Sequence, residues 1–206
     1  MIHRFLVVFS LLVFLSACKS SESLSIPQGE EAFALPPSIF EKDTMYSFLT
    51  EIIAYDRVIT GILRIKKVGE AQYKVVFSNE SGFQLMALSF TNGKMESHQV
   101  FKKLDKKIIL NTLEQGIQLL FYHSLCNNVY REKIENSSVA KCAKGKLLYR
   151  YYTYDNGNML RIEVLKKEAL VKWVEFQSYV DGLPQEIQIN HEDIHLSYNL
   201  KAIKNG

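Results

Sequence analysis

The segment His191-Glu192-Asp193-Ile194-His195 places two histidines around two acids, and side chains of these types can bind a metal ion. A zinc site of the HExxH type needs its two histidines four residues apart on a helix. Here the segment lies between two predicted strands, which favours a polar hairpin turn. We therefore predict no metal site and no cofactor.

No catalytic motif is found elsewhere in the chain. GxSxG, the phosphate-binding loop and GxGxxG are all missing, and no nucleophile stands at a spacing that would pair it with a base. We therefore expect a protein that is not an enzyme. The formal net charge of +3 is small, and lysine pairs such as Lys66-Lys67 fall at predicted element ends. Such pairs are typical of solvated surfaces, so no nucleic-acid partner is expected.

The chain has three cysteines, of which Cys18 lies at the end of the N-terminal apolar segment. Cys126 and Cys142 therefore remain as a pair within the body of the protein. In an oxidising compartment two such cysteines can form a disulfide. The alternative is two free, buried cysteines. A metal site is not expected, because no CxxC motif or histidine cluster accompanies them.

The N-terminus has the organisation of an export signal. Arg4 precedes an apolar run from Phe5 to Leu15, and small residues follow it. This pattern predicts a signal peptide over residues 1–17. The run is too short to span a bilayer, which takes ~20 apolar residues.

The segment Leu15-Ser16-Ala17-Cys18 resembles the lipobox of bacterial lipoproteins. The resemblance implies that Cys18 is acylated, with chains such as palmitate, and becomes the first residue of the mature protein. Two or more acyl chains hold a protein stably on a membrane. Residues 18–37, rich in Ser, Glu and Pro, are expected to form a flexible tether. The alternative is an ordinary secretory signal followed by a chance cysteine.

The residues after Cys18 bear on the location. Lys19 stands where aspartate would retain a lipoprotein in the inner membrane, which implies the outer membrane. Lipoproteins exported to the cell surface can carry a cluster of acids after the cysteine, whereas here Glu22 is the single acid in the next few positions. We therefore expect the protein to face the periplasm, with the cell surface as the alternative. Asp43-Thr44-Met45 also resembles the short O-glycosylation sequence of Bacteroidetes.

The hydrophobic pattern predicts two helices and nine strands in residues 38–206, which we interpret as a single domain. The first helix is expected from Ser38 or Asp43 to about Tyr55, and the second from about Asp105 to Tyr122. The strands are expected at 58–67, 71–79, 83–91, 94–101, 147–154, 159–167, 171–180, 185–191 and 194–202, with residues 124–145 irregular.

The second helix is apolar around most of its circumference, which is typical of a helix buried on several sides. Gly116 in its middle suggests close packing against a neighbour. The strands are joined by short turns such as Asn92-Gly93 and Asp181-Gly182, which favour antiparallel hairpins. We therefore predict an α+β fold, in which a curved antiparallel half-barrel of about nine strands wraps around one helix and is covered by both.

This order of elements resembles the LolA/LolB lipoprotein-carrier fold. Local segments such as Thr60–Lys67, Tyr73–Phe77 and Ser81–Leu85 also resemble lipoproteins of Bacteroidetes-type bacteria. The first resemblance implies a half-barrel that encloses an apolar cavity for a hydrophobic ligand, either an acyl chain, a lipid or a lipoprotein.

Two functions follow from this interpretation. In the first, the protein binds a hydrophobic ligand and assists lipoprotein localisation. The expected cavity lining is Ile59, Leu63, Phe83, Leu85, Leu113, Ile117 and Leu120. In the second, the same residues fill a packed core, and the protein is a structural or interaction lipoprotein with an envelope protein as its partner.

Overall fold

The computed structural model of the protein describes residues 31–54, 57–101, 107–126, 128–134 and 137–203. One antiparallel sheet of twelve strands dominates it. The strands are β1 (Met45–Ala54), β2 (Arg57–Gly69), β3 (Gln72–Ser78), β4 (Gln84–Thr91), β5 (Lys94–Val100), β6 (Tyr130–Ile134), β7 (Ser137–Lys144), β8 (Leu147–Thr153), β9 (Met159–Lys166), β10 (Ala169–Val180), β11 (Leu183–His191) and β12 (Leu196–Ala202).

Helix α1 (Lys107–Gln118) lies between β5 and β6 and continues into a 3-10 helix, Leu119–Ser124. It is the one α-helix in the described part of the chain, so the sheet is covered by one main helix and not by two. Asp105, the expected first residue of this helix, lies outside the described residues. No helix among those described has the length and hydropathy that crossing a membrane requires.

The first and last strands pair with each other in the middle of the sheet. The order from edge to edge is β5-β4-β3-β2-β1-β12-β11-β10-β9-β8-β7-β6. Thr50 of β1 lies opposite Leu200 of β12. The segment between the outer strands β5 and β6 contains α1 and the 3-10 helix, so these helical residues lie between the two edges of the sheet.

The sheet curves around the helical segment. The ring of Phe121 lies 4.2 Å from that of Tyr73 in β3 and 4.9 Å from that of Phe90 in β4, measured between ring centres. The next residue, Tyr122, lies 6.2 Å from Phe176 in β10. Since adjacent helical residues contact both halves of the sheet, the sheet is bent around them. The predicted curved antiparallel sheet around an apolar helix is confirmed.

Gly116 brings α1 close to the sheet. A Cβ atom at this position would lie 3.0 Å from the ring of Tyr198 and 3.3 Å from Nε2 of His191. A larger side chain would therefore push the helix away from β11 and β12. The close packing predicted for this glycine is confirmed.

The prediction of a first helix is wrong, because residues 45–54 form β1. The apolar residues satisfy a helical spacing, but alternate positions satisfy a strand equally well. Tyr46, Phe48 and Ile52 are buried, whereas Met45 and Leu49 are 46% and 48% exposed. A helix over these residues would place Met45 and Leu49 on one face with Phe48 and Ile52, and all four would be buried. The alternating burial pattern is that of a strand with one face on the core.

The segment predicted to be irregular, residues 124–145, contains β6 and β7. With β1, these two strands account for the difference between the nine predicted strands and the twelve observed. The sequence of β6 is Tyr-Arg-Glu-Lys-Ile, which is short and charged. Charged, short strands are typical of sheet edges and carry a weak hydrophobic signal.

The predicted hairpin turns are confirmed by their backbone. Asn92 and Gly93 both have positive φ, as do Asp181 and Gly182. Two consecutive residues of this kind make the type I′ turn that suits the twist of a hairpin.

The structure joins Cys126 to Cys142 by a disulfide, with their Cα atoms 6.4 Å apart. The bond links the loop after the 3-10 helix to β7, near one edge of the sheet. The bond closes a short loop. If a disulfide acts by lowering the entropy of the unfolded chain, such a bond stabilises the folded protein by roughly 3 kcal/mol.

Candidate functional site

Residues 31–44 form a strap that runs from β6 to the start of β1, and we call it the N-terminal strap. Ala32 pairs with Tyr130 as an isolated antiparallel bridge. Phe33 N donates to Val129 O at 2.8 Å, and Arg131 N donates to Glu31 O at 2.9 Å. Residues 31–37, expected to be part of a free tether, therefore lie on the body, while residues 18–30 are outside the described part.

The middle of the strap is held by the 3-10 helix. Tyr122 donates its hydroxyl to the carbonyl oxygen of Pro37 at 2.5 Å. Nε2 of His123 lies 2.5 Å from the carbonyl oxygen of Pro36 and must donate, since a carbonyl can only accept. Both contacts fix the strap at the end of the sheet where β1 begins.

Phe40 anchors the strap in the core. Its side chain is fully buried, and its ring centre lies 5.2 Å from Tyr46, 6.3 Å from Phe48 and 5.7 Å from Phe121. Aromatic pairs at these distances add to the stabilisation that burial alone provides. The strap is therefore part of the folded domain.

A cavity of about 780 Å³ lies between the strap and the ends of β9 to β12, and we call it the base cavity. It is open on one side and lies within the size range of small-ligand sites. Its apolar and aromatic lining comprises Pro36, Pro37, Ile39, Met45, Tyr46, Tyr122, Met159, Tyr179, Val180, Leu183, Ala202 and Ile203. Its polar lining includes Ser38, Thr44, Ser47, Asn158 and Gln185.

The tyrosines of the base cavity are fixed and neutral. The hydroxyl of Tyr179 donates to the carbonyl oxygen of Met159 at 2.8 Å. Burial raises the pKa of Tyr122 and of Tyr179 well above the usual value for tyrosine. Since neither hydroxyl ionises near neutral pH, the two rings serve as apolar walls and not as acid or base.

The rim of the base cavity exposes large apolar side chains. Met45, Val180 and Ile203 are 46%, 49% and 38% exposed, and all three line the opening. They come from the start of β1, the end of β10 and the residue after β12. Ile203 N donates to Ser47 O at 2.8 Å, which joins two of these elements.

The charges at the rim fall into two groups. Glu41 is paired with Lys67 at 3.2 Å, and Asp43 lies 3.9 Å from Lys66. Lys42 and Asp181 also line the cavity, and both are exposed. In the described part of the chain, neither side chain has an ion-pair partner. The opening thus offers one unpaired cation and one unpaired anion.

The predicted cavity lining lies elsewhere. Leu63, Leu113, Ile117 and Leu120 are buried in the core between the sheet and α1. Ile59 and Leu85 are partly buried and pack against that core. None of these six is among the residues that line the base cavity, and the space beneath α1 is filled by side chains.

Phe83 is a clear error of the predicted lining. It is 54% exposed and lies in the turn before β4, where its ring packs edge-on against Phe101 at 5.9 Å between centres. Its place in an alternating apolar segment suggested burial, but the turn residues Asn79–Gly82 precede it directly. Asn79 accepts a hydrogen bond from Phe83 N at 2.8 Å, which keeps the residue in the turn.

Sequence reasoning missed the base cavity because its lining comes from distant parts of the chain. A weak signal was present, since Val180 and Ile203 are large apolar residues at or next to the ends of predicted strands, but Met45 was assigned to the predicted first helix. Only the pairing of β1 with β12, and the return of β10 into β11, brings these ends together.

A buried polar cluster ties α1 to the other end of the sheet. Nζ of Lys172 donates to Oε1 of Gln115 at 2.8 Å. Burial, with a further contribution from Lys172, lowers the pKa of His191 to about 4, so the ring is neutral at pH 7. Burial also lowers the pKa of Lys172. Within the described residues, Nε2 of His191 and the hydroxyl of Tyr198 have no hydrogen-bond partner.

The segment His191–His195 forms the end of β11 and the turn to β12, as predicted. His191 is buried and His195 is exposed. Among the residues that the structure describes, no group of three His, Cys, Asp or Glu side chains could hold a metal ion.

Two further cavities are smaller than the base cavity. One, of about 500 Å³, lies among β1, β11 and β12 and is lined by Glu51, Glu80 and Glu186 among others. The other, of about 630 Å³, lies at the turn before β12 and includes Glu192 and His195. The base cavity is therefore the candidate site for a hydrophobic ligand.

The fold and the site define a class of protein in which a curved antiparallel sheet surrounds one helix and leaves an apolar opening at its base. Several solved structures are similar to the chain, including the following three. A LolA superfamily protein from Nitrosomonas europaea is 9% identical, with 81% of this chain and 87% of that chain covered and a TM-score of 0.48. A DUF1329 family protein from Desulfovibrio piger is 12% identical, with 81% and 86% covered and a TM-score of 0.47.

The third is a structure described as an outer membrane lipoprotein-sorting protein domain from Vibrio parahaemolyticus. It is 12% identical, covers 81% of this chain and 86% of its own, and has a TM-score of 0.45. No family model matches the chain, and no curated protein matches it. Because all three TM-scores are below 0.5, the description of the fold rests on the strand order and contacts given above.

Proposed function

We propose that this protein is a non-catalytic, lipid-anchored envelope protein that binds a hydrophobic ligand in the base cavity. The ligand would be an acyl chain, belonging to a lipid or to a lipoprotein, and binding would assist lipoprotein localisation. The anchor would be Cys18, on the periplasmic face of the outer membrane. The export signal and Cys18 lie outside the described residues, so this part of the proposal depends on the sequence.

The exposed apolar rim is the observation that carries the proposal. Scattered apolar residues are normal on a protein surface, but Met45, Val180 and Ile203 surround one opening that leads to an apolar lining. Apolar side chains that converge in this way mark binding sites. Burying an acyl chain there contributes ~0.8 kcal/mol for each methylene group removed from water.

We expect Val180→Glu to weaken binding of a palmitoyl chain about tenfold, because it places a charge where the chain enters an apolar site. The measurement is displacement of a fluorescent fatty acid from the delipidated full-length chain, which also carries Cys18→Ser so that it has no acyl groups of its own. Native mass spectrometry of the same sample would show one bound molecule per chain.

Val58→Glu is the matched control. Val58 is 59% exposed, belongs to β2 and lies at the opposite end of the sheet. This variant is expected to bind the probe as the parent does. If both variants bind equally well, or if no amphiphile binds the parent, the base cavity is not a site for hydrophobic ligands.

The anchor has its own test. When the full-length gene is expressed in a Gram-negative host with labelled palmitate, the wild-type chain is expected to incorporate the label and to sediment with membranes. Cys18→Ser should abolish incorporation of the label, because it removes the thiol that is acylated. Labelling that survives Cys18→Ser would contradict acylation at this position.

A second candidate function is favoured by the filled interior. Leu113, Ile117 and Leu120 are almost fully buried, so the space that was expected to hold a ligand holds side chains instead. In this alternative the protein is a structural or interaction lipoprotein of the envelope. Failure to bind any amphiphile, combined with co-purification of one defined envelope protein, would support it.

A further inference from the structure

The base cavity has a chemical character beyond its apolar lining, because two opposite charges stand unpaired at its opening. Lys42 lies on the strap, and Asp181 lies in the type I′ turn between β10 and β11. The neighbouring acids Glu41 and Asp43 are balanced by Lys67 and Lys66. Within the described residues, the charges left to meet a ligand at this opening are therefore one cation and one anion.

This pair discriminates among amphiphiles. A fatty acid carboxylate would be attracted by Lys42 and repelled by Asp181. A headgroup whose only charge is a phosphate would likewise be attracted by Lys42 and repelled by Asp181. An uncharged headgroup would form an ion pair with neither side chain. A headgroup that carries a phosphate and an ammonium group offers each of the two side chains an opposite charge. Such charge complementarity selects among ligands more than it adds raw affinity.

The volume of the site limits the apolar part of the ligand. About 780 Å³ is the size of a pocket for one small molecule. We therefore expect the cavity to hold one acyl chain, rather than the two or three chains of an acylated cysteine.

The sequence also places the opening near such lipids. Cys18 lies thirteen residues before Glu31, the first described residue of the strap. A chain of this length reaches at most ~45 Å when fully extended. If Cys18 is anchored, the start of the strap stays within ~45 Å of the headgroups of the bilayer.

We infer that the base cavity binds one zwitterionic phospholipid with its acyl chain inside, its phosphate near Lys42 and its ammonium group near Asp181. This inference rests on the proposed function and specifies the ligand class of the same site. The exchangeable form of such a lipid is a lysophospholipid, which has one chain and can leave a membrane.

The test compares three ligands with the same palmitoyl chain, namely lysophosphatidylethanolamine, lysophosphatidylglycerol and monoacylglycerol. Each displaces a fluorescent fatty acid from the full-length chain carrying Cys18→Ser. Lysophosphatidylethanolamine is expected to bind about two- to fivefold more tightly than either of the others, the range of an exposed ion pair.

Two variants assign the preference to its side chains. Asp181→Asn should remove the preference for lysophosphatidylethanolamine over lysophosphatidylglycerol, and asparagine tolerates the positive φ of this turn. Lys42→Gln should weaken both phosphate-containing ligands and leave monoacylglycerol unchanged. The backbone N–H of Lys42 donates to the hydroxyl of Tyr46, and this contact survives the substitution.

Lys144→Gln and Asp155→Asn are the controls, because both residues are exposed and neither lines the base cavity. They are expected to change no preference. Equal binding of all three ligands by the parent chain would overturn the inference and leave the proposed function standing. Binding of none of them would overturn both.

Discussion

Phe40→Ala is expected to lower the free energy of unfolding by about 3–5 kcal/mol, the usual loss for a fully buried phenylalanine. The side chain is buried among Tyr46, Phe48 and Phe121, so its removal leaves a cavity where the N-terminal strap meets the core. Urea unfolding of the full-length chain with Cys18→Ser, followed by tyrosine and tryptophan fluorescence, measures the change.

Phe83→Ala is the control for this experiment. The ring of Phe83 is 54% exposed, and its loss is expected to cost less than about 1 kcal/mol. Limited proteolysis adds a second readout, since Phe40→Ala should also make residues 31–44 more easily cleaved. Equal losses of stability for the two variants would show that the strap does not dock through Phe40.

The second large effect is a loss of stability on acidification. Burial holds the pKa of His191 at about 4 in the folded state, against an ordinary value of 6.5. The unfolded chain therefore binds more protons than the folded chain between these values, and stability falls as the pH is lowered from about 6.5 to about 4. The loss from this one group is expected to reach up to ~3 kcal/mol.

Several groups face His191 and set the size of this effect. Lys172 of β10 disfavours a second positive charge, and Asp193 in the following turn favours it. Gly116 of α1 and Tyr198 of β12 lie against the ring without adding a charge, and Gln115 of α1 accepts a hydrogen bond from Lys172. Protonation of His191 would thus weaken the contact between α1 and the sheet.

Urea unfolding at pH 7, 5.5 and 4 measures this dependence. His191→Gln should reduce the slope of stability against pH between pH 4 and 6.5. His195→Gln, at the exposed end of the same turn, should keep the slope of the parent chain. A slope that His191→Gln leaves unchanged would assign the acid sensitivity to other groups.

Much of the sheet could be predicted from the sequence because alternation and turn residues agree. The nine predicted strands correspond to β2–β5 and β8–β12, and turns such as Asn92-Gly93 mark where they reverse. Residues 45–54 were misassigned because Phe48 and Ile52 fit both a helical and an alternating pattern. What decided between the two was the pairing of this strand with β12 and β2, which local spacing does not contain.

The sequence predicts the kind of candidate site, an apolar cavity, but not its position in the fold. An apolar helix inside a curved sheet suggested an internal cavity, and the same apolar residues proved able to fill it. Packing at this density depends on the fit of side chains from both halves of the sheet. The opening at the base involves Met45, Val180 and Ile203, and their proximity is a property of the strand order alone.

The pairing of β1 with β12 has a consequence for the order in which the sheet can form. Strand β12 follows all the other strands of the sheet along the chain, and within the sheet it links β1–β5 to β6–β11. Until it arrives, β1 and β11 are open edges that can pair with other chains. The sheet therefore closes only after β12 has been made, and deletion of β12 would separate its two halves at the centre.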